Sequence, residues 1–267
     1  MESFRALLRN PDRWGRVDLG ITLETGVRYF LVAGVAWLLA YVLFRRRWQH
    51  RKIIDKVAPA ADVRRELFHS LLTIAIFGLV GTATFVLNAH GWGRIYWRAD
   101  ERGWPWFWAS IVVAIVIHDT YFYWTHRLMH HRWFYPWFHR VHHQSTNPTP
   151  WAAYSFAPLE AVVEAGIFPL VSLAIPIHPL AFGTFMLWQI VFNVLGHTGY
   201  EFHARWLLDS RIGRWLNTPT NHILHHEKFR GNYGLYFNFW DRLMGTNHPE
   251  YESRFREVAG RRAPGKG

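Results

Sequence analysis

The chain has 267 residues, half of them hydrophobic and 18% aromatic, and its formal net charge is +11 at pH 7. The absence of cysteine excludes disulfides, thiolate metal sites, iron–sulfur clusters and a cysteine nucleophile. Only 18% of the residues are charged, against roughly 25% in an ordinary soluble domain, and the aromatic content argues against disorder. The positive charge suits an anionic membrane surface or nucleic acid, and the Trp and Phe content favours the membrane.

Long apolar runs along the chain predict helices that cross a membrane. The five runs are Val27 to Phe44, Leu67 to Leu87, Trp104 to Trp124, Ala157 to Ile177 and Leu180 to Leu195. A helix needs about 20 residues to cross a hydrocarbon core of roughly 30 Å. The first three runs are long enough, whereas the last two are shorter or more polar, so we expect these to be tilted or to form an incompletely crossing hairpin. The sequence therefore predicts an all-α integral membrane bundle of four to five membrane helices in a single domain, residues 1–267.

The loops between these runs predict the orientation of the chain. The segment from Arg45 to Glu66 carries eight Lys or Arg, whereas the loop from Asn88 to Gly103 carries three Arg and two acids. The positive-inside rule places residues 45–66 in the cytoplasm, and the histidine-rich segments then form a cap on the same face. Only 4 of the 30 basic residues are Lys, a bias compatible with a GC-rich bacterial genome. We therefore expect the bacterial inner membrane, or the endoplasmic reticulum if the source is eukaryotic.

The two ends of the chain differ from the apolar runs. Residues 1–25 are polar, with arginines interleaved with apolar residues, and predict either an amphipathic helix at the membrane surface or a frayed terminus. No cleavable signal peptide is evident. The charged segment from Glu252 to Gly267 is expected to be loosely ordered.

Histidine is far more frequent than usual, with 17 residues, and it is concentrated in three clusters. The clusters are HDTYFYWTHRLMHH with His118, His126, His130 and His131; HRVHH with His139, His142 and His143; and NHILHH with His222, His225 and His226. His197 and His203 lie between the last two. Residues three and four apart share a helix face, so each cluster can present two or three imidazoles to one point. Neutral imidazole binds iron, zinc, copper and nickel, and eight to ten such ligands suit two metal ions.

The other histidines are expected to have ordinary structural roles. This group comprises His50, His69, His90, His178 and His248, and His131 is expected to lie off the ligand face. His118 lies close to the helical stripe of His126, so two roles remain open for it: a metal ligand, or a group that supports a ligand. Asp119 is a candidate for orienting an imidazole by accepting its N–H.

At this point the sequence resembles the fatty acid hydroxylase superfamily, which includes sterol desaturases and C4-methyl sterol oxidases. The resemblance rests on HRLMH, HRVHH and HILHH, followed by Asn232-Tyr-Gly234 and by Trp240-Asp-Arg-Leu-Met-Gly-Thr246. It implies a membrane non-heme di-iron oxidoreductase with a catalytic region of about residues 105–246. The implied metal ligands are His126, His130, His139, His142, His143, His197, His203, His222, His225 and His226, with His118 as the substitute if His197 or His203 is not a ligand.

The resemblance also implies cofactors and partners. Two iron ions, replaceable by zinc during purification, would use dioxygen to hydroxylate or desaturate a sterol-like or fatty acyl lipid. No fused cytochrome domain is evident, so electrons are expected from a separate donor, either a b-type cytochrome or a ferredoxin with its reductase. The donor is expected to dock on the basic cytoplasmic face. Neither a nucleotide-binding loop nor a nucleic-acid partner is predicted.

Two other functions remain open from the residues alone. In a zinc-dependent membrane hydrolase or lyase, the metal would activate water, although an open catalytic zinc usually needs three protein ligands. A metal transporter would favour polar groups inside the spans, whereas these histidines gather at one face. Dioxygen consumption coupled to a reductant separates the oxidase from both.

Overall fold

The computed structural model describes residues 13–262, and this range folds as a helical bundle with three isolated β-bridges and no β-strand. The all-α prediction is therefore confirmed. The main helices are α1 (Trp14–Leu43), α2 (Ala60–Ala89), α3 (Trp104–Met129), α4 (Pro158–Ala165), α5 (Ile167–Ala174), α6 (Pro179–His197), α7 (Pro219–Lys228), α8 (Phe239–Leu243) and α9 (Tyr251–Gly260). Short helical turns lie at Arg45–Trp48, Gln49–Arg51, Tyr135–Phe138, His142–Gln144, Pro150–Tyr154, Leu207–Asp209 and Gly213–Trp215.

Four of these helices, α1, α2, α3 and α6, are long and apolar enough to cross a membrane. Their lengths are 30, 30, 26 and 19 residues, close to or above the roughly 20 residues that a bilayer requires. Helix α1 begins at Trp14, so the part of residues 1–25 that is described extends the first membrane helix instead of lying along the surface. Residues 1–12, which contain the remainder of the predicted amphipathic segment, lie outside the described range.

Small and polar residues join α1 to α2. A Cβ atom at Gly78 would meet the side chain of Thr22, and one at Gly81 would meet Ile21, so the two helices approach closely because these positions are glycine. Thr82 donates a hydrogen bond to Asp18 across the same interface, with 3.1 Å between the oxygens. This packing explains why the helix continues towards its N-terminus beyond the apolar run.

The fourth apolar run is divided into α4 and α5 at Gly166. The Tyr121 hydroxyl donates to the Val163 carbonyl at 2.6 Å, and a Cβ at residue 166 would meet that hydroxyl. At the far end of α5, Ile177 exchanges backbone hydrogen bonds with Arg94 and Tyr96 in the loop between α2 and α3. The hairpin of α4–α5 and α6 therefore reaches the side of the bundle opposite the histidines. Of its two arms, α6 is long and apolar enough to cross a membrane by itself, whereas the other arm is divided into two eight-residue helices.

Residues 130–157 and 198–262 form a cap over one end of the bundle, and the basic segment 45–66 is part of the same face. The backbone N–H of Ile53 donates to the Gly199 carbonyl at 2.9 Å, and Arg254 donates to the Ile53 carbonyl at 2.8 Å. The prediction of a loose C-terminal segment, which begins at Glu252, is wrong for residues 252–260. These residues belong to α9, because Phe255 and Val258 are buried against the cap.

Candidate metal centre

Nine of the ten predicted ligand histidines come together in two groups at the junction of the membrane helices and the cap. One group, called the five-histidine group, contains His126, His130, His139, His143 and His225. The other, the four-histidine group, contains His142, His197, His222 and His226. In each group every pair of ligand nitrogens lies within 4.8 Å, and all nine side chains are buried except the half-buried His130.

These imidazoles come from four segments of the chain: α3 with its C-terminal turn, the HRVHH cluster, α6 and α7. Helix α3 carries His126, and His130 caps its last turn one helical turn later. Helix α6 ends at His197. Helix α7 begins after Thr218, whose hydroxyl accepts from the Asn221 N–H, and it carries the third cluster. The i, i+4 pair of that cluster enters the four-histidine group, whereas His225 points to the other group.

The HRVHH cluster does not lie on a continuous helix, and this divides its histidines. A helical turn ends at Phe138, and a 3-10 turn starts at His142. As a result, His139 and His143 enter the five-histidine group, and His142 enters the four-histidine group. Adjacent histidines thus serve different sites and link the two groups covalently.

The spacing between ring nitrogens matches the spacing of ligands around a metal ion. In the five-histidine group, the Nε2 atoms of His126 and His139 are 2.9 Å apart, and those of His143 and His225 are 3.0 Å apart. In the four-histidine group, the corresponding distance from His197 is 2.9 Å to His222 and 3.2 Å to His226. Ligands about 2.1 Å from an ion lie roughly 3.0 to 3.4 Å apart for right-angle to tetrahedral arrangements.

The outer nitrogens of the rings establish which nitrogen carries the proton. Nδ1 of His139 lies 2.6 Å from Glu160 Oε1. In five other rings Nδ1 donates to a backbone carbonyl oxygen: His126 to Tyr233 O, His142 to Ser155 O, His197 to Asn193 O, His225 to Gly231 O and His226 to Ser145 O. A backbone carbonyl only accepts, so Nδ1 holds the proton and Nε2 presents a lone pair to the centre of its group. Lone pairs this close repel one another unless a cation lies between them.

Burial keeps these imidazoles uncharged. It lowers the pKa values of His225 and His226 well below the ordinary histidine range, and the neighbouring imidazoles lower them further. Neutral imidazole is the form that binds a metal ion. The donor set, all nitrogen and without thiolate, therefore fits two transition-metal ions.

Glu160 supports the centre and was not identified as a site residue from the sequence. Its carboxylate accepts the Nδ1 proton of His139 at 2.6 Å, with both side chains buried. Its other oxygen accepts from the Ala157 N–H at the start of α4. A ligating histidine commonly donates its second N–H to such a carboxylate, which orients the ring and raises its basicity. The available signal was an acid in the first turn of an otherwise apolar run.

His118 and Asp119 lie beside the centre rather than in it. The His118 ring hydrogen-bonds to the Tyr236 hydroxyl at 2.8 Å and joins neither group. Asp119 accepts from the backbone N–H groups of Tyr236 and Phe237 at 2.9 and 3.1 Å. The carboxylate of Asp119 therefore holds a loop of the cap, whereas we expected it to orient an imidazole.

His203 is the one predicted ligand that the structure does not bring to either group. Its Nδ1 hydrogen-bonds to Glu201 at 2.8 Å, and its side chain is 37% exposed. Glu201, which is buried, also accepts from the backbone N–H and the hydroxyl of Thr220 at the start of α7. None of His50, His69, His90, His131, His178 and His248 joins a group either.

The loop after α7 supplies two of the carbonyl groups that orient the histidines. Gly231, with φ of 73°, offers its carbonyl to His225, and Tyr233 offers its carbonyl to His126. Asp241 on α8 accepts from the N–H groups of Tyr233 and Gly234 at 2.9 and 2.7 Å. The NYG and WDRLMGT segments thus shape the loop that positions the histidine rings.

Residues 111–246 match the model of the family described as fatty acid hydroxylase. The chain is 30% identical over 222 residues to the Delta(7)-sterol 5(6)-desaturase ERG3B of Gibberella zeae, covering 83% of this chain and 66% of that protein. It is 28% identical over 190 residues to the lathosterol oxidase of Homo sapiens, covering 69% of this chain and 61% of that protein. It is also 30% identical over 227 residues to the Delta(7)-sterol 5(6)-desaturase erg3C of Aspergillus fumigatus, covering 78% of this chain and 68% of that protein.

The aligned part of the chain spans about two thirds or less of the length of these relatives. No solved structure matches it. The family match covers the region that carries all nine converging histidines and the loop that orients them. The chain belongs to the fatty acid hydroxylase family.

Proposed function

We propose that this chain is a membrane oxidase that binds two iron ions and uses dioxygen to remove hydrogen from a C–H bond of a lipid. The observation that carries the proposal is the pair of buried histidine groups whose unprotonated Nε2 atoms face inward. When bound, the two ions would supply dioxygen activation and the oxidising equivalents that hydroxylation or desaturation requires. The protein supplies position and exclusion of water.

The number and type of ligands favour an oxidase over a zinc hydrolase. An open catalytic zinc site usually has three protein ligands, whereas these groups offer five and four imidazoles. All-nitrogen ligation by neutral groups suits ions that change oxidation state. In the five-histidine group, His126, His139 and His225 are oriented through Nδ1, and in the four-histidine group His142, His197 and His226 are.

Aromatic side chains cover the cap side of the centre and exclude water from it. The rings of Tyr135 and Tyr233 lie 5.6 and 5.2 Å from that of His130, the least buried member, and Phe229 lies 5.1 Å from His143. A water-poor site protects a strong oxidant from side reactions. We place the opening for substrate on the membrane side, where Phe122 packs against His126 at 5.0 Å.

We propose a sterol-like or long-chain lipid as the substrate. The support is the position of the histidine groups at the ends of the membrane helices α3 and α6, together with the desaturase and lathosterol oxidase names of the relatives. Hydroxylation and desaturation share the first hydrogen removal and differ in where the substrate lies, by about an ångström. Product analysis is therefore the measurement that separates them.

We place the histidine cap on the cytoplasmic face, where it receives electrons from a separate donor protein. The support is the position of the basic segment 45–66 beside the cap. Arg46 and Arg47 are exposed there, so an acidic donor would find a positive surface. Replacing both with Glu should raise the apparent KM for an acidic donor, more at low than at high ionic strength. Unchanged kinetics would contradict this docking surface.

The test of the proposed function is metal content combined with dioxygen uptake. Protein purified in mild detergent, or reconstituted with Fe²⁺ if it carries zinc, should bind two ions per chain. It should then consume dioxygen when reductant and a lipid substrate are added. The same preparation with His225→Ala is the control. Iron-loaded protein that ignores dioxygen with every lipid of a sterol and fatty acyl panel would refute the oxidase.

A further inference from the structure

A second polar cavity lies at the cytoplasmic end of α1, outside the metal centre. Its volume is about 200 Å³, and its walls include Trp37, Tyr41, Arg45, Lys52, Lys56 and Tyr200. The cavity lies where the membrane helix gives way to the basic segment. It is therefore at the depth of the lipid headgroups on the face of the bundle that carries the cap.

The notable group in this cavity is Lys52. The residue is only 4% exposed, and its Nζ atom is buried without a hydrogen-bond partner among the described residues. The ammonium lies 5.1 Å from the ring centre of Tyr41 and 4.8 Å from that of Tyr200. Two aromatic faces offset part of the cost of burying a charge, but they leave its three N–H donors unused.

The surroundings hold Lys52 in this position. The Tyr41 hydroxyl donates to the Thr198 carbonyl at 2.9 Å, and the backbone of Lys52 forms a bridge with Tyr200. Arg261 donates to the Lys52 carbonyl at 2.8 Å. The aromatic walls and the lysine backbone are thus fixed by bonds that do not involve Nζ. A methionine would pack in the same space, so packing alone does not explain an ammonium group.

The other charges around the cavity point to an anionic ligand. Arg45 and Lys56 add two positive charges at its exposed edge. The one acid, Asp55, accepts a hydrogen bond from the Gln49 side chain at 2.7 Å. Burial, with a smaller contribution from the nearby Arg45, lowers the pKa of Lys52 to about 8, so the amine is still mostly protonated at pH 7. Three cations against one acid is the composition of an oxyanion site.

We propose that this cavity binds a phosphate group, with Lys52 as its buried cation and Arg45 and Lys56 as its outer contacts. The source that the position favours is the headgroup of an anionic glycerophospholipid in the cytoplasmic leaflet. Exposed Leu38 and Val42 on α1 offer an apolar surface next to the cavity for the acyl chains. Ile53, the residue after Lys52, donates its N–H to the carbonyl of Gly199, which lies two residues after His197 at the end of α6. A ligand bound to Lys52 would therefore also stabilise the end of α6.

The experiment compares ligands on the intact, purified protein by thermal unfolding and by native mass spectrometry. The probes are phosphatidylglycerol, phosphatidylcholine and inorganic phosphate. The variants are Lys52→Met, which keeps the volume without the charge, and Lys228→Met as a control from an exposed ion pair on α7. Loss of a charged hydrogen-bond donor should weaken phosphatidylglycerol binding by about tenfold or more. Lys228→Met should bind as the wild type does.

Each outcome bears on the proposal. If phosphatidylglycerol stabilises the wild type and not Lys52→Met, the lipid headgroup is supported. If inorganic phosphate alone shows this difference, the phosphate site stands and the lipid source is refuted. Equal binding by wild type and Lys52→Met overturns the site. Should Lys52→Met fail to fold, the exposed double variant Arg45→Gln with Lys56→Gln must weaken phosphatidylglycerol binding, and unchanged binding would overturn the site as well.

Discussion

The hydrogen bond between Glu160 and His139 offers the sharpest test of the metal centre. The two atoms are 2.6 Å apart, both side chains are buried, and Glu160 touches no other histidine ring through a hydrogen bond. Replacing Glu160 with Ala removes the acceptor and leaves the Nδ1 proton of His139 without a partner. Leaving a buried donor without its acceptor costs about 1 to 3 kcal/mol, and each 1.4 kcal/mol is a factor of about ten in an equilibrium constant.

We therefore expect Glu160→Ala to lower the affinity for one metal ion by about 10- to 100-fold, the range typical for groups that support a ligand. The affinity of the five-histidine group for its ion should fall, and the affinity of the four-histidine group should stay at the wild-type value. The assay is competition with a chelator of known affinity, with the metal content per chain measured at each chelator concentration. A biphasic curve with one shifted step is the expected result.

Glu164→Gln is the matched control, because Glu164 lies one turn further along α4, is buried, and makes no hydrogen bond to a histidine ring in the described structure. Glu160→Gln should fall between wild type and Glu160→Ala, since its amide oxygen still accepts a proton but carries no charge. If Glu160→Ala binds both ions with wild-type affinity, or loses both equally, the assignment of Glu160 to one group is refuted.

Three further predictions follow from the same geometry. His225→Ala and His226→Ala should each abolish lipid-dependent dioxygen uptake while lowering metal affinity in different groups, which chelator titration distinguishes; identical titrations would contradict the division. His203→Ala should retain both ions and most of its activity, because its ring bonds to Glu201 instead of a group; loss of one ion would restore it as a ligand. The metal-free protein should lose stability as the pH falls below about 6.5, because unfolded histidines then bind protons while His139, His225 and His226 stay neutral in the fold. Each such histidine lowers the free energy of unfolding by about 1.4 kcal/mol per pH unit. An unfolding midpoint that is constant from pH 7 to 5.5 would refute the idea that these histidines stay uncharged in the fold.

The membrane helices could be predicted from sequence because their signal is local. Length and hydropathy decide whether a segment crosses a bilayer, and α2, α3 and α6 lie where the apolar runs predict them. The polar start of α1 could not be predicted in this way, because its place depends on contacts with α2. Asp18 is tolerated in that helix through its bond to Thr82, and this partner is 64 residues away.

The division of the histidines into two groups was beyond a sequence argument for a related reason. The i, i+4 rule gave the right face for His222 and His226, which lie on a regular helix. It failed for HRVHH, where the backbone turns between His139 and His142. Glu160 was missed because its pairing with His139 arises only when α4 packs beside the cap, and no local spacing encodes that contact.

The histidine boxes alone do not make the site, since nine neutral rings must also be held at a membrane boundary with their lone pairs facing inward. The fold achieves this with acceptors that come mostly from backbone carbonyl groups, which cannot donate a proton and therefore set the tautomer without ambiguity. Two of those carbonyls belong to the loop at Gly231 and Tyr233, which Asp241 holds in shape. The NYG and WDRLMGT segments, which contain no ligand, thus belong to the metal centre, because the loop that they shape decides which nitrogen of His126 and of His225 is free to bind.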